Sequence, residues 1–227
     1  MRLRAICFDY GGTLDDVGGV HWLPRFAALY QRAGLHLPFE RVRDAFDHAT
    51  HCAYTERGVS ALCLQGLIEF HVARQMERLQ LHDTAVATAV VDGFVRNSRA
   101  GLEASRSVLN RLRGRVSLGV ISNFYGNVNR ILEDAQIAPL LDAVVDSTCA
   151  GLSKPDPQIF GLAVRQLGCA PAEVLYVGDS FEKDVVGARR AGLRTAWLVG
   201  AGERPCPAPE MVDVRLRSLG DLDAIVA

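Results

Sequence analysis

Hydrophobic and polar positions along the chain fall into two regimes. Leu3 to Phe8 is a short, nearly continuous apolar run closed by Asp9, the pattern of a strand buried on both faces of a parallel sheet. The turn-forming stretch Gly11-Gly12-Thr13 follows it. From there to about residue 96 the apolar positions recur with helical spacing. Val42, Ala45, Phe46, Ala49 and Ala53 define one stripe, and Leu64, Leu67, Ile68, His71 and Val72 a second. Val86, Ala89, Val90 and Phe94 define a third. Gly34 and Gly58 read as helix stops, and Asp83 as an N-cap.

Beyond Gly101 the grammar changes to alternating helix and strand. Val108, Leu109 and Leu112 mark a helix stopped by Gly114, and Val116 to Ile121 a strand. Val128, Ile131, Leu132 and Ala135 mark a helix, and Ala143 to Val145 a short strand. Pro157, placed at a first helical position, opens a helix through Ile159, Phe160, Ala163 and Leu167 that ends at Gly168. Val174 to Val177 is a strand, Lys183 to Ala191 a helix closed by Gly192, and Thr195 to Val199 a strand. Ala201 to Pro209, with three prolines, is a loop. Repeated αβ units predict an α/β fold: a Rossmann-like parallel sheet core with helices on both faces. The core is expected at residues 1–16 and 97–227, interrupted by a helical insert at 17–96.

Composition narrows the function classes. With 227 residues, 49% hydrophobic and 22% charged, the chain is long and apolar enough for one domain with an insertion, and is neither disordered nor collagen-like. A net charge of −1 argues against nucleic acid as a partner. No stretch approaches the roughly 18 apolar residues a membrane span needs. Arg2 and Arg4 precede an apolar run of only Ala5 to Phe8, too short for a signal peptide. Cys7, Cys52, Cys63, Cys149, Cys169 and Cys206 form no C-x-x-C pair and no zinc spacing, which suits a reducing, cytoplasmic setting. The basic residues are lopsided: 23 Arg against Lys154 and Lys183 alone. Genome composition accounts for most of that. It still leaves the two lysines as candidates for tasks that need a compact ammonium.

Open α/β sheets place their sites at the carboxyl ends of strands. Four such ends carry polar residues here: Asp9-Tyr10-Gly11-Gly12-Thr13, Ser122-Asn123, Lys154-Pro155, and Gly178-Asp179-Ser180 with Asp184 five residues beyond Asp179. Singly, each has an ordinary reading as a turn, cap or solvated charge. Together they put three carboxylates, an ammonium, a hydroxyl and Gly-rich turns on one sheet edge. Facing carboxylates need a cation, and hard oxygen ligands suit Mg2+. A Lys, a hydroxyl and turn N–H groups suit a phosphate.

These residues resemble the haloacid dehalogenase-like hydrolase superfamily. Its pattern is a hydrophobic strand then D-x-D-G-T, a strand ending in Ser/Thr, a Lys, and a strand then G-D-x-x-x-x-D. All four occur in order, as Phe8-Asp9-Tyr10-Gly11-Gly12-Thr13-Leu14, Ile121-Ser122-Asn123, Lys154-Pro155 and Gly178-Asp179 to Asp184. The insert at 17–96 is similar in placement to the family's helical cap. The resemblance implies a phosphatase acting on a small phosphorylated metabolite, as a monomer or homodimer. Asp9 would be the nucleophile, forming an aspartyl phosphate. Mg2+ would be held by Asp9, the Gly11 carbonyl and Asp179, with Asp184 in support. Ser122, Lys154 and backbone N–H groups around Tyr10, Gly11 and Asn123 would hold the phosphoryl oxygens.

One position departs from the pattern. The family's second Asp, the general acid/base, is Gly11 here. Three explanations stand. A substitute acid is one: water, His21, Asp15 or Asp16, although Asp16 is more ordinarily a cap and His21 a surface residue. Non-phosphatase chemistry such as dehalogenation is another. Retention of Asp179 argues against the dehalogenase, and the absence of Lys from 17–96 argues against a phosphonatase. The third is a weakly active or inactive module that binds a phosphorylated ligand. Among the histidines, His48 and His51 are spaced as a metal pair but read more simply as polar surface, and His71 reads as a core residue on an apolar stripe.

Overall fold

Ala5–Phe8 forms strand β1 at the centre of a six-stranded, all-parallel sheet, and every one of its side chains is buried. The computed structural model describes residues 2–16, 20–202 and 204–226. The other strands are β2 (Ser117–Ser122), β3 (Ala143–Asp146), β4 (Val174–Gly178), β5 (Arg194–Leu198) and β6 (Val214–Leu216), in the order β3-β2-β1-β4-β5-β6. Because side chains alternate along a strand, Ile6 and Phe8 feed one core and Ala5 and Cys7 the other. Leu175 and Val177 of β4 join the first core, Val174 and Tyr176 the second.

Helices cover both faces. They are α1 (Trp22–Arg32), α2 (Phe39–Thr55), α3 (Leu64–Leu79), α4 (Thr84–Leu112), α5 (Val128–Asp134), α6 (Ser147–Ala150), α7 (Pro157–Leu167), α8 (Gly187–Arg190) and α9 (Leu222–Ile225). α4, α5 and α9 pack on the first face, and α7 and α8 on the second. The α/β class and the parallel core are as the sequence predicts. The three-residue β6 is an addition, too short to carry a periodic signal.

Helices α1 to α4 lie between β1 and β2, and their apolar stripes face one another. Val42, Ala45, Phe46, Ala49 and Ala53 of α2 are buried, as are Leu64, Leu67, Ile68, His71 and Val72 of α3. The third stripe needs correction: Ala89 is exposed, and Val91 and Val95 are buried beside Val86, Val90 and Phe94. Asp83 caps α4 by accepting from Val86 N at 3.0 Å. The two helices expected on either side of Gly101 are one continuous helix, so the boundary drawn at 96/97 falls inside α4. The boundary drawn at 16/17 abuts residues 17–19, which lie outside the described residues. Gly101 does not break α4; it permits close contact. A Cβ there would lie 2.4 Å from the backbone oxygen of Asp15. α4 therefore packs against α1 and α3 at one end, and against the turn after β1 and α9 at the other.

Candidate active site

The chain runs outward from β1 through β2 to β3, then returns to lay β4 on the other side of β1. That reversal opens a crevice beyond the carboxyl ends of β1 and β4, the general ligand position of open α/β sheets. Asp9 stands at the end of β1, and Asp179 directly follows β4. The chain after Asp9 makes a wide turn over Tyr10–Leu14 in which Gly12 adopts φ +80°. A Cβ at Gly12 would sit 2.9 Å from Asp179 Oδ2, so a bare α-carbon lets the two strand-end loops meet. Gly178 does the same for Asp184, whose Cγ lies 2.3 Å from where a Cβ would stand.

Asp9 Oδ1 accepts from three donors: Tyr10 N at 2.7 Å, Ser122 Oγ at 2.9 Å and Lys154 Nζ at 2.8 Å. Asp9 Oδ2 accepts no hydrogen bond among the described residues. Lys154 Nζ is buried and also reaches Asp184 Oδ1 at 2.7 Å and the Tyr176 hydroxyl at 2.9 Å; that hydroxyl donates to Ile121 O at 2.8 Å. Burial opposes the ammonium, but Asp184 and Asp9 outweigh it and the Lys154 pKa is raised. Asn123 grips the Lys154 backbone twice, Oδ1 accepting from N at 2.7 Å and Nδ2 donating to O at 2.9 Å. Its side chain thus positions Lys154.

Asp9, Asp179 and Asp184 each offer a carboxylate oxygen, and these oxygens all lie within 4.8 Å of one another. Asp184 Oδ2 accepts from Ser180 N at 2.9 Å. Asp179 is different: its Oδ1 is buried without a hydrogen-bond partner, while Trp197 Nε1 and Arg204 reach only its backbone oxygen. Burial and the neighbouring charges of Asp184 and Asp9 push the Asp179 carboxyl well above the usual range. Burial also raises Asp184, to about 6, against the pull of Lys154. Three carboxylates against one ammonium, with a buried orphan oxygen, are a donor set that fits a hard divalent cation.

Gly11 has φ −75° and ψ 117°, open to any residue, and the Trp22 indole lies beside it. A Cβ at Gly11 would be 3.5 Å from Trp22 Nε1. Trp22 Nε1 donates to Asp15 Oδ2 at 2.8 Å. Asp15 is wholly buried; its carboxylate also takes Gly12 N at 2.7 Å, Arg25 Nη1 at 2.8 Å and Ser98 Oγ at 3.2 Å. With four donors on it, one of them a buried guanidinium, the Asp15 carboxylate is fully engaged, and it does not line the cavity that Asp9 borders. Asp16 is likewise engaged, its Oδ2 accepting from Val20 N at 2.8 Å.

A cavity of about 210 Å³ opens above this floor. Asp9, Gly11, Ser122, Asn123, Lys154 and Asp179 border it from the sheet edge, and Trp22, Phe46, Phe124 and Tyr125 form an aromatic wall. His21 and Lys183 also line it. Trp22, Phe46, Phe124, Tyr125 and Lys183 border the site, and Tyr176 backs it behind Lys154, none of them placed there by the motifs. Lys183 alone carried a signal, its rarity. Tyr10, expected to contribute only its N–H, buries its ring against Phe124. Of the remaining histidines, His71 is a buried core residue and His48 contacts Cys52 Sγ at 3.7 Å. Among the described residues the three aspartates are the sole cluster of this kind.

The sequence model of the haloacid dehalogenase-like hydrolases matches residues 3–192. A phosphoserine phosphatase of Thermus thermophilus is 35% identical over 203 residues, covering 87% of this chain and 81% of that protein. The pyrimidine 5'-nucleotidase YjjG of Escherichia coli is 36% identical over 99 residues; the match covers 43% of this chain and less than half, 44%, of that relative. Among solved structures, the L-2-haloacid dehalogenase RSc1362 superposes with a TM-score of 0.68 at 23% identity, covering 100% of this chain and 99% of the other. A phosphatase from Thermococcus onnurineus gives 0.61 at 20% identity, covering 99% and 98%. These two share the fold.

Proposed function

We propose that this chain, which belongs to the haloacid dehalogenase-like hydrolases, is a Mg2+-dependent phosphatase of small phosphorylated metabolites that works through an aspartyl phosphate on Asp9. One observation carries the reading: Asp9 Oδ1 is saturated by three donors, which leaves Oδ2 without a donor beside a buried carboxylate cluster. The donors fix the carboxylate plane, and Oδ2 keeps the lone pair that attacks phosphorus. The ester P–O bond breaks as the Oδ2–P bond forms, and the departing oxygen leaves with the electron pair. Ser122 and Lys154, whose hydroxyl and ammonium can turn from Asp9 Oδ1 to a bound phosphoryl group, would hold its oxygens together with the backbone N–H groups of Gly11 and Asn123, while the Tyr10 N–H stays on Asp9. Water then attacks phosphorus, releasing phosphate and restoring the Asp9 carboxylate. Asp9, Asp179, Asp184 and the Gly11 carbonyl would hold Mg2+, which when bound supplies positive charge to the phosphoryl oxygens.

The retained cluster with Asp179 favours this chemistry over dehalogenation. Residues 17–96 would act as the cap that selects substrates, over a core at 1–16 and 97–227. The six free thiols fit a reducing compartment, and a cytoplasmic location is part of the proposal. The test is hydrolysis of 4-nitrophenyl phosphate with Mg2+ and with EDTA, in wild type and in Asp9→Asn. Turnover is expected only in wild type with Mg2+, with cooperative melting kept in the variant. Substantial turnover by Asp9→Asn would take the nucleophile role from Asp9.

A further inference from the structure

We propose that Lys183 and His21 form a second anion-binding position at the mouth of this cavity, so that the preferred substrate carries an anionic oxygen group, a carboxylate or second phosphate, remote from the phosphoryl group being transferred. The inference rests on the hydrolase reading and deepens it. It starts from charge. Of 23 arginines and two lysines, no arginine borders the cavity and both lysines do. Lys154 is consumed on the floor by Asp9, Asp184 and Tyr176. Lys183 makes no ion pair among the described residues and is exposed. It stands on the helical turn Phe181–Val186, where its own N–H donates to Ser180 Oγ at 3.3 Å.

His21 completes the pair. Its Nδ1 accepts from Leu23 N at 3.3 Å, so the neutral ring carries its proton on Nε2 and offers a donor there. The ring is braced edge-on against Phe46, centroids 5.8 Å apart. Burial and the nearby Lys183 charge hold the imidazole below its usual pKa, which keeps it in the neutral, donating form.

Elsewhere the lining offers a second anion no free positive charge. The floor, with the Asp9 and Asp179 carboxylates, is the seat of the phosphoryl group, and Trp22, Phe46, Phe124 and Tyr125 offer mainly aromatic surface. At ~30 Å³ per water the cavity of about 210 Å³ has about seven waters' volume, so the test compounds are kept to a chain of a few carbon atoms.

The test uses inert phosphonates on the Mg2+-loaded full chain, so that binding is read without turnover. 3-Phosphonopropionate carries a carboxylate where propylphosphonate has its terminal methyl, and propane-1,3-bisphosphonate carries a second phosphonate on that terminal carbon. By calorimetry, wild type is expected to bind at least one of the two doubly anionic compounds about tenfold tighter than propylphosphonate. Which of them gains identifies the natural group. In Lys183→Met the preference should fall below about threefold, with the melting temperature unchanged because the side chain is exposed. Equal affinities in wild type, no binding of any of the three, or an undiminished preference in Lys183→Met would overturn the proposal. Turnover of 4-nitrophenyl phosphate by wild type judges the hydrolase reading separately.

Discussion

Gly11 stands where the family places an acid, and its surroundings decide what its replacement would do. The backbone there, at φ −75°, accepts any side chain, and a Cβ would make ordinary contact with the Trp22 indole at 3.5 Å. Gly12, one residue on, is the opposite case: φ +80°, with Asp179 at 2.9 Å from a Cβ. Gly11→Asp is therefore expected to fold. Without an acid, charge builds on the departing oxygen, so aryl or acyl phosphates should react far faster than alkyl phosphates. Installing the acid should raise alkyl phosphate turnover by up to about 10²-fold and change aryl turnover little. Comparing kcat for glycerol phosphate and 4-nitrophenyl phosphate in both proteins checks this. A wild type indifferent to the leaving group would mean that another donor supplies the proton.

At the scale of elements, α4 shows where pattern reading succeeds and where it stops. Its Asp83 cap is a local feature and could be read directly, and its stripe in part: Val86, Val90 and Phe94 are buried, but Ala89 is exposed. Its continuity could not, because Gly101 inside a helix looks like an interruption until the Asp15 backbone is seen 2.4 Å from the missing Cβ. The strand-end motifs were legible for the same reason as the cap: each lies within a few residues of an element boundary. Trp22 over Gly11 and Lys183 at the cavity mouth were not, since each depends on how one element leans across another. Gly101→Ala separates the two influences. Helix propensity alone favours Ala by about 1 kcal/mol, but the contact is with backbone. Overpacking of that kind costs roughly 1–3 kcal/mol or more. The variant should lose net stability in urea unfolding, whereas an exposed-site control, Ser107→Ala, should not.

Over the whole molecule, the insert and the sheet share one core. The cluster containing Ile6 and Phe8 runs without a break through Trp22, Phe26 and Phe46. His71 lies within it, stacked on Phe26 at 5.3 Å, with Nδ1 2.7 Å from Gln75 Nε2; burial lowers its pKa to about 3. An unfolded His titrates near 6.5. Between those values the unfolded chain binds the extra proton, so global stability should fall as pH drops from about 6.5 towards 3. The slope reaches ~1.4 kcal/mol per pH unit, and above 6.5 His71 contributes nothing. His71→Gln removes that titration, and its unfolding free energy should change less than that of wild type between pH 7.5 and 5.0. Equal changes would show that other groups carry the acid sensitivity. The placement of the aromatic residues has an optical consequence. The chain has two tryptophans. One lies beside Gly11, and the other donates its indole N–H to the Asp179 backbone at 3.0 Å. The two chromophores thus touch the loops that carry Asp9 and Asp179. Ultraviolet emission from the unlabelled protein is therefore a local signal from this crevice, and ligand entry can be followed by fluorescence titration before any substrate is known.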